Sequence, residues 1–278
     1  METYLEPVQP VSPLAPYLGG KRLLAPKIIE RIGQTAHTVY AEPFMGMGGI
    51  FFRRARRPAS EIINDRNGDV VTLFRILQRH YPAFLDHLKF QLSSRREFER
   101  LAKVDPSTLT DIERAARFLY LQRTAYGGKV TGQSFGVSAG RPARFDYTQI
   151  GPMLEDVYER LAGVVIENLD WSELIERYDS PSTLFYLDPP YWDCEDDYGP
   201  GLFGRDQFEA MAARLGSIDG KAIVSLNDTP GVRETFKAFR MEEVDLTYSI
   251  GQATGGTKAV GEVLIYTYCA PELPLFRV

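Results

Sequence analysis

The 278-residue chain has little of what disulfide scaffolds and metal centres need: two cysteines, Cys194 and Cys269, and three histidines, His37, His80 and His87. Two unpatterned cysteines in a chain this long point to a reducing, cytoplasmic setting rather than a disulfide framework. No histidine pairs with a cysteine at zinc spacing, so no metal site is expected. No run of about 18 apolar residues occurs, which leaves nothing to span a bilayer. The first residues, METYLEPVQPVSPLAPY, lack both the basic start and the apolar stretch of a secretory signal. Internal repeats and low-complexity tracts are absent too.

What is present is a core. Hydrophobic residues make up 44% and charged residues 25%, the balance of a globular protein. The length suits one core domain with a smaller inserted lobe. The net charge of −5 is unevenly spread: +3 over residues 1–88, +5 over 89–149 and −13 over 150–278. A basic middle beside an acidic end can favour a polyanion on one face, although helices with solvated Lys/Arg faces would read the same way.

Pro7, Pro10, Pro13 and Pro16 keep the first sixteen residues extended, as an arm. Leu23, Leu24, Ile28, Ile29 and Ile32 recur at helical spacing before Gly33. Short strands are predicted at 38–41, 61–64, 164–167, 184–187 and 222–226. Helices are predicted at 50–57, after Gly68, and at 94–103, 110–122, 149–162, 205–216 and 230–238. Two β-rich runs, 241–250 and 262–268, close the chain as a hairpin. Strands alternating with helices predict a parallel sheet covered on both faces. Ligands on such sheets bind at the carboxyl ends of strands. The reading assigns 1–80 and 150–278 to the sheet domain and 81–149 to the inserted lobe, whose segment 124–145 is Gly-rich, polar and basic.

Four motifs fall at strand ends or helix starts. Asp188-Pro189-Pro190-Tyr191 follows the apolar run TLFYL. The prolines fix φ and remove two backbone donors, leaving carbonyl oxygens free to accept. An ionised Asp188 and the Pro189 carbonyl could take the two hydrogens of an exocyclic amine, and Tyr191 offers a π-face to a flipped base. A plain Asp-Pro-Pro turn with a packed tyrosine is the alternative. Glu42-Pro43-Phe44-Met45-Gly46-Met47-Gly48-Gly49 lies between a strand and a helix, where glycines let a ligand approach the backbone and the helix N-terminus points at it. It lacks the third glycine of the dinucleotide fingerprint, since Phe51 stands there. Asp65, ending the next strand, could take both hydroxyls of a ribose or serve as a helix cap. Lys21, before the first helix, could pair with a ligand carboxylate or be a surface lysine.

Taken together, these residues resemble the Dam-type, D12-class DNA adenine methylases that carry a DPPY motif. YLGGK (17–21) is similar to the family's W-x-G-G-K, with Tyr17 for tryptophan. EPFMGMGG is similar to its E-P-F-x-G-x-G, and IINDRN (62–67) to the strand ending in a ribose-binding aspartate. LQRTAYGG (121–128) resembles the start of a DNA-reading hairpin, SLNDT (225–229) an S-N-x-D-T lacking its spacer, and GGTKAVGEVLIYTY (255–268) the closing hairpin. The resemblance implies an α/β fold: a Rossmann-like methyltransferase sheet with a terminal antiparallel hairpin and an inserted, mostly α-helical target-recognition lobe.

It further implies S-adenosyl-L-methionine as cofactor and double-stranded DNA as partner, with direct in-line methylation of N6 of a flipped adenine. The expected catalytic residues are Asp188, Pro189, Pro190 and Tyr191. The expected cofactor contacts are Tyr17, Lys21, Glu42, Pro43, Phe44, Gly46, Gly48, Asp65, Asn168, Leu169 and Asp188. Arg123 and Lys129 are the first candidates for DNA contacts, then Gln133, Ser134, Arg141 and Arg144. A cognate restriction endonuclease is a possible companion. Competing readings are a cytosine-N4 or RNA amino methyltransferase, a non-catalytic DNA-binding homologue and an NAD-dependent dehydrogenase. The acidic run Asp193 to Asp197 reads as a flap or a solvated loop.

Overall fold

The computed structural model describes residues 5–17, 21–136, 140, 142–195, 203–244 and 261–269. Arg141 therefore lies outside the described residues, as do Asp196 and Asp197.

In chain order the elements are β1 (Glu6–Pro7), α1 (Ala25–Gln34), β2 (Val39–Glu42), β3 (Arg56–Arg57), β4 (Ser60–Asn64), α2 (Gly68–Leu88), α3 (Arg95–Ala102), α4 (Asp111–Thr124), α5 (Tyr147–Arg160), β5 (Val165–Glu167), α6 (Trp171–Tyr178), β6 (Thr183–Leu187), α7 (Asp206–Leu215), β7 (Lys221–Asn227), α8 (Pro230–Thr235), β8 (Arg240–Val244) and β9 (Glu262–Tyr266). Seven strands form one sheet in the order β5-β4-β2-β6-β7-β9-β8. The first five run parallel; β9 joins β7 antiparallel and β8 joins β9 antiparallel. This is the expected sheet with its closing hairpin.

Strand periodicity explains the layers. Central strands of a parallel sheet are buried on both faces and so read as continuous apolar runs. In TLFYL every residue is buried. Leu184 and Tyr186 enter one core with α1, α2, α4 and α5; Phe185 and Leu187 enter the other with α6, α7 and α8. The same alternation places Ile223 and Val224 of β7, and Leu264 and Val263 of β9, on opposite faces.

Among the described residues, 81–149 build no core of their own. Phe84, Leu88, Phe98, Leu101, Leu119 and Phe145 share the cluster that holds α1 and α5. Helix α2 runs on to Leu88, past the expected boundary, and bends at His80 (φ −131°, ψ 32°), two residues ahead of Pro82. Proline lacks the N–H that would continue the ladder there and restricts the residue before it. Helix α4 opens with a full capping box between Thr110 and Glu113, which satisfies two orphan donors reciprocally.

The predicted helix at 50–57 is corrected. Only a 3₁₀ turn, Phe51–Arg53, forms there. Arg56 and Arg57 then pair antiparallel with Pro7 and Glu6. Pro58 disfavours helix at Arg57, and the arm supplies a partner strand instead. The arm is extended as predicted, but it is packed: Val8 and Val11 N–H groups donate to Ala55 and Phe52 carbonyls, and Val11, Leu14 and Ala15 are buried.

Beneath this turn lies a buried ion cluster. Both oxygens of Glu61 accept from Arg160, each at 2.7 Å, and one also accepts from Arg54. The Arg54 guanidinium lies 3.6 Å from the Tyr40 ring centroid and that of Arg160 4.1 Å from Phe51. Cationic planes stacked on aromatic faces lose water at lower cost.

Candidate active site

The carboxyl ends of β2, β4 and β6 converge on one cavity of about 790 Å³. Its lining includes Tyr17, Lys21, Glu42, Phe44, Gly46, Asp65, Asp188 and Pro190. Residues from four distant segments thus meet at one place.

The glycine turn shapes one wall. Gly46 and Gly48 have φ of +50° and +71°, a region that residues with a Cβ avoid. A Cβ on Gly48 would stand 2.3 Å from a Phe52 ring carbon and 2.9 Å from the Met45 methyl; one on Gly46 would stand 2.9 Å from the Tyr17 ring. Gly48→Ala is expected to destabilise the fold by about 3 kcal/mol or more, combining ~1–3 of backbone strain with ~1–3 of overpacking. A loss of unfolding free energy in urea of under about 1 kcal/mol would contradict this.

Asp65 ties that turn to β4. Its Oδ2 accepts from Gly46 N–H and its Oδ1 from Asn67 N–H, both at 2.8 Å. Burial pushes its pKa up to about 6 against these two donors. The helix cap is not Asp65 but Asn67, whose side chain accepts from Asp69 N–H. Phe44 meets Phe203 edge to face, centroids 5.8 Å apart, and both line the cavity. Glu42 is buried and accepts from Tyr40 Oη at 2.6 Å. Burial, opposed by that bond, raises its pKa to about 8, so it is mostly protonated at neutral pH.

Asp188 follows β6 directly. Its Oδ1 lies 3.2 Å from Lys21 Nζ and accepts from Ser225 Oγ at 3.1 Å. Among the described residues none donates to Oδ2, and the side chain keeps 23% exposure, open to the cavity. Burial raises the Asp188 pKa to about 6; Lys21 opposes that rise and Glu262 adds to it. Lys21 is 2% exposed, not a surface lysine. Its ammonium donates to Tyr191 Oη at 2.5 Å and Glu262 Oε2 at 3.0 Å as well as facing Asp188. All three of its donors are thereby directed within the catalytic corner.

Several expected contacts lie elsewhere. Pro43, Gly48, Asn168, Leu169, Pro189 and Tyr191 do not line the cavity. Asn168 donates to the Asp65 carbonyl at 2.7 Å and Leu169 N–H to Asn64 Oδ1 at 2.8 Å, so both brace the strand that carries Asp65. Arg123 lines the cavity while donating to the Leu14 and Arg144 carbonyls. Arg144 donates to the Ala125 carbonyl at 2.7 Å, and Gln133 to Gln122 Oε1 and the Lys129 carbonyl. Lys129 and Ser134 are exposed on a small hairpin that closes through the Ala125–Phe135 bridge. Of the acidic run, Asp193 and Glu195 both pair with Arg205 at 2.6 Å.

Sequence reasoning quoted the motifs that contain Ser225, Asn227 and Glu262 but gave none of the three a role at the site. Ser225 supports Asp188, while Asn227 exchanges two hydrogen bonds with the backbone of Trp192, at 2.9 and 3.0 Å. Separated by one residue, they face the same side of β7. The available signal was polarity inside otherwise apolar, buried strands, KAIVSLN and EVLIY.

The chain is similar to known methyltransferases along most of its length. It is 24% identical over 242 residues to type II methyltransferase M.CviBI of Paramecium bursaria Chlorella virus NC1A, covering 86% of this chain and 91% of that one. It is 23% identical over 278 residues to type II methyltransferase M1.LlaDCHI of Lactococcus lactis subsp. cremoris, covering 92% and 95%. A DNA adenine methylase of Salmonella typhi is 24% identical over 239 residues, covering 80% and 84%. The family described as D12 class N6 adenine-specific DNA methyltransferase matches residues 17–250. That span includes the glycine turn, Asp65 and the Asp-Pro-Pro-Tyr corner, and the chain belongs to this family of adenine-specific DNA methyltransferases.

Proposed function

We propose that the methyl donor is S-adenosyl-L-methionine, held in the cavity at the glycine turn, and that Asp188 and the Pro189 carbonyl bind N6 of an adenine turned out of duplex DNA. The observation carrying this reading is the Asp188 carboxylate, whose Oδ2 has no donor among the described residues, in the lining of a cavity that Asp65 also lines.

The residues present fit the donor. Each Asp65 oxygen accepts one backbone N–H and keeps a lone pair for a ribose hydroxyl, and Phe44 and Phe203 supply an apolar wall. When bound, S-adenosylmethionine supplies a sulfonium methyl group as electrophile. Asp188 and the Pro189 carbonyl accept the two N6 hydrogens, which localises the nitrogen lone pair for attack. Asp188 then takes the proton that N6 sheds on gaining the methyl. The protein's share is orientation and charge placement, with no covalent enzyme intermediate.

For DNA, the hairpin spanning 124–136 offers Lys129 and a 64% exposed Tyr126. Arg123 instead serves the arm and the cavity wall, and any phosphate contact there carries no sequence information. The type II designation of two relatives supports a restriction–modification role; a cognate endonuclease and a cytoplasmic setting are part of the same proposal.

The test is incubation with methyl-labelled S-adenosylmethionine and unmethylated duplex DNA, followed by identification of the labelled nucleoside. N6-methyladenine is expected. Label in N4-methylcytosine, or none, would overturn the reading. Asp65→Asn is expected to raise KM for the donor about 10- to 100-fold, the worth of one or two hydrogen bonds to a charged acceptor. KM for DNA should change far less; equal changes in both would argue against Asp65 as the ribose ligand.

A further inference from the structure

Glu262 opens β9, opposite Asn227 of β7 and Val244 of β8. A carboxylate there is costly, because the side chain is only 1% exposed. Lys21 and Tyr191, which it meets here, both belong to the catalytic corner. Oε2 accepts from Lys21 Nζ at 3.0 Å, and Oε1 accepts from the Tyr191 hydroxyl. Lys21 donates to that same hydroxyl at 2.5 Å and lies 3.2 Å from Asp188 Oδ1. Four side chains from three separate stretches of chain interlock.

The charges suggest why. One lysine beside one aspartate is a neutral pair, and an aspartate held by an ammonium is a weak acceptor for an amine. Adding a second carboxylate leaves one net negative charge to be shared. The ammonium is drawn toward Glu262, at the shorter distance, and Asp188 keeps acceptor strength toward the cavity.

We propose that Glu262 is a positioning residue for methyl transfer: it draws Lys21 off Asp188 and anchors the Tyr191 hydroxyl, so that Asp188 meets the adenine amine as a strong acceptor. This rests on Asp188 being that acceptor. The groups facing Asp188 are Lys21 ahead of α1, Glu42 of β2, Tyr186 of β6, Ser225 of β7 and Glu262 of β9. Of the two carboxyl groups, burial keeps Glu42 largely neutral below about pH 8.

The experiment is the pH profile of kcat/KM for labelled methyl transfer by the full chain, for wild type, Glu262→Gln, Glu262→Asp and Asp188→Asn. Thermal unfolding is followed alongside. Glu262→Gln removes a like charge from Asp188, so the acid limb is expected to move to lower pH. Its kcat is expected to fall on the order of 10- to 100-fold, as for other misplaced reacting groups, while KM for DNA changes little. Glu262→Asp keeps the charge but shortens the reach; its acid limb should stay at the wild-type position while kcat falls.

An unmoved limb in Glu262→Gln, whatever its kcat or melting temperature, makes Glu262 a structural strut and overturns the proposal. If Glu262→Gln does not fold, Glu262→Asp decides: wild-type kcat or a displaced limb overturns it. An acid limb that survives in Asp188→Asn overturns the reading of Asp188 itself, and with it this proposal. A limb lost there but unmoved in Glu262→Gln overturns only the role of Glu262.

Discussion

Asp188→Asn is expected to cut single-turnover methyl transfer by about 10²- to 10³-fold or more, the usual scale for removing one group aimed at developing charge. The substitution preserves shape, so the contact with Ser225 and the turn through Pro189 and Pro190 should survive. What it removes is the anionic acceptor facing the cavity. An amide that turned its –NH₂ toward the adenine amine would set donor against donor, and neither amide atom could take up a proton. Binding of DNA and of the methyl donor should persist, which a gel-shift titration and donor equilibrium binding would establish. A variant within about tenfold of wild type would remove Asp188 from the chemistry.

The same residue sets a pH signature. Only the ionised carboxylate accepts both a hydrogen bond and a proton, and burial has raised its pKa to about 6. Activity should therefore rise with pH through that value and fall tenfold per unit below it. The residual activity of Asp188→Asn should be flat across the same window.

Glu61→Gln is expected to cost about 3–5 kcal/mol, because breaking a buried ion pair leaves uncompensated charge. Here two guanidiniums, of Arg54 and Arg160, depend on the single carboxylate, and all three side chains are at most 4% exposed. Arg160→Met should cost less, since it leaves Arg54 and Glu61 as a neutral pair beside a volume-filling apolar chain. Urea unfolding followed by circular dichroism gives both values. Neither variant should alter the acid limb of activity, because Glu61 does not line the cavity. Equal losses in the two variants, or a loss in Glu61→Gln below about 1 kcal/mol, would mean that the cluster does not depend on charge balance.

Much of the site was legible because its signals are local. TLFYL before Asp188 is a buried strand by composition, and the two prolines after it end the ladder by their own chemistry. Gly46 and Gly48 stand where a turn needs positive φ, and Asp65 ends its strand within the same short stretch. Illegible parts involve residues whose partners are far along the chain. The 50–57 segment reads as helix from its apolar, Arg-rich composition, yet it forms a 3₁₀ turn, and its Arg56 and Arg57 become a short strand by pairing with Pro7 and Glu6 of the arm. Arg123 reads as a DNA contact from charge and motif, yet its guanidinium is held by the Leu14 carbonyl.

The amino-acid sequence by itself determined the alternation of strands and helices, the turn glycines, the rigid Asp-Pro-Pro-Tyr corner and the family, because each depends on spacing within a few residues or on a linear motif. Only the tertiary structure decided that Lys21 is buried among Asp188, Tyr191 and Glu262, that Ser225 and Asn227 brace the corner, and that Glu61 bridges two arginines. The reason is physical: a buried charge is tolerated only beside its counter-charges, and in this fold those come from strands, helices and loops distant in sequence that the fold brings together.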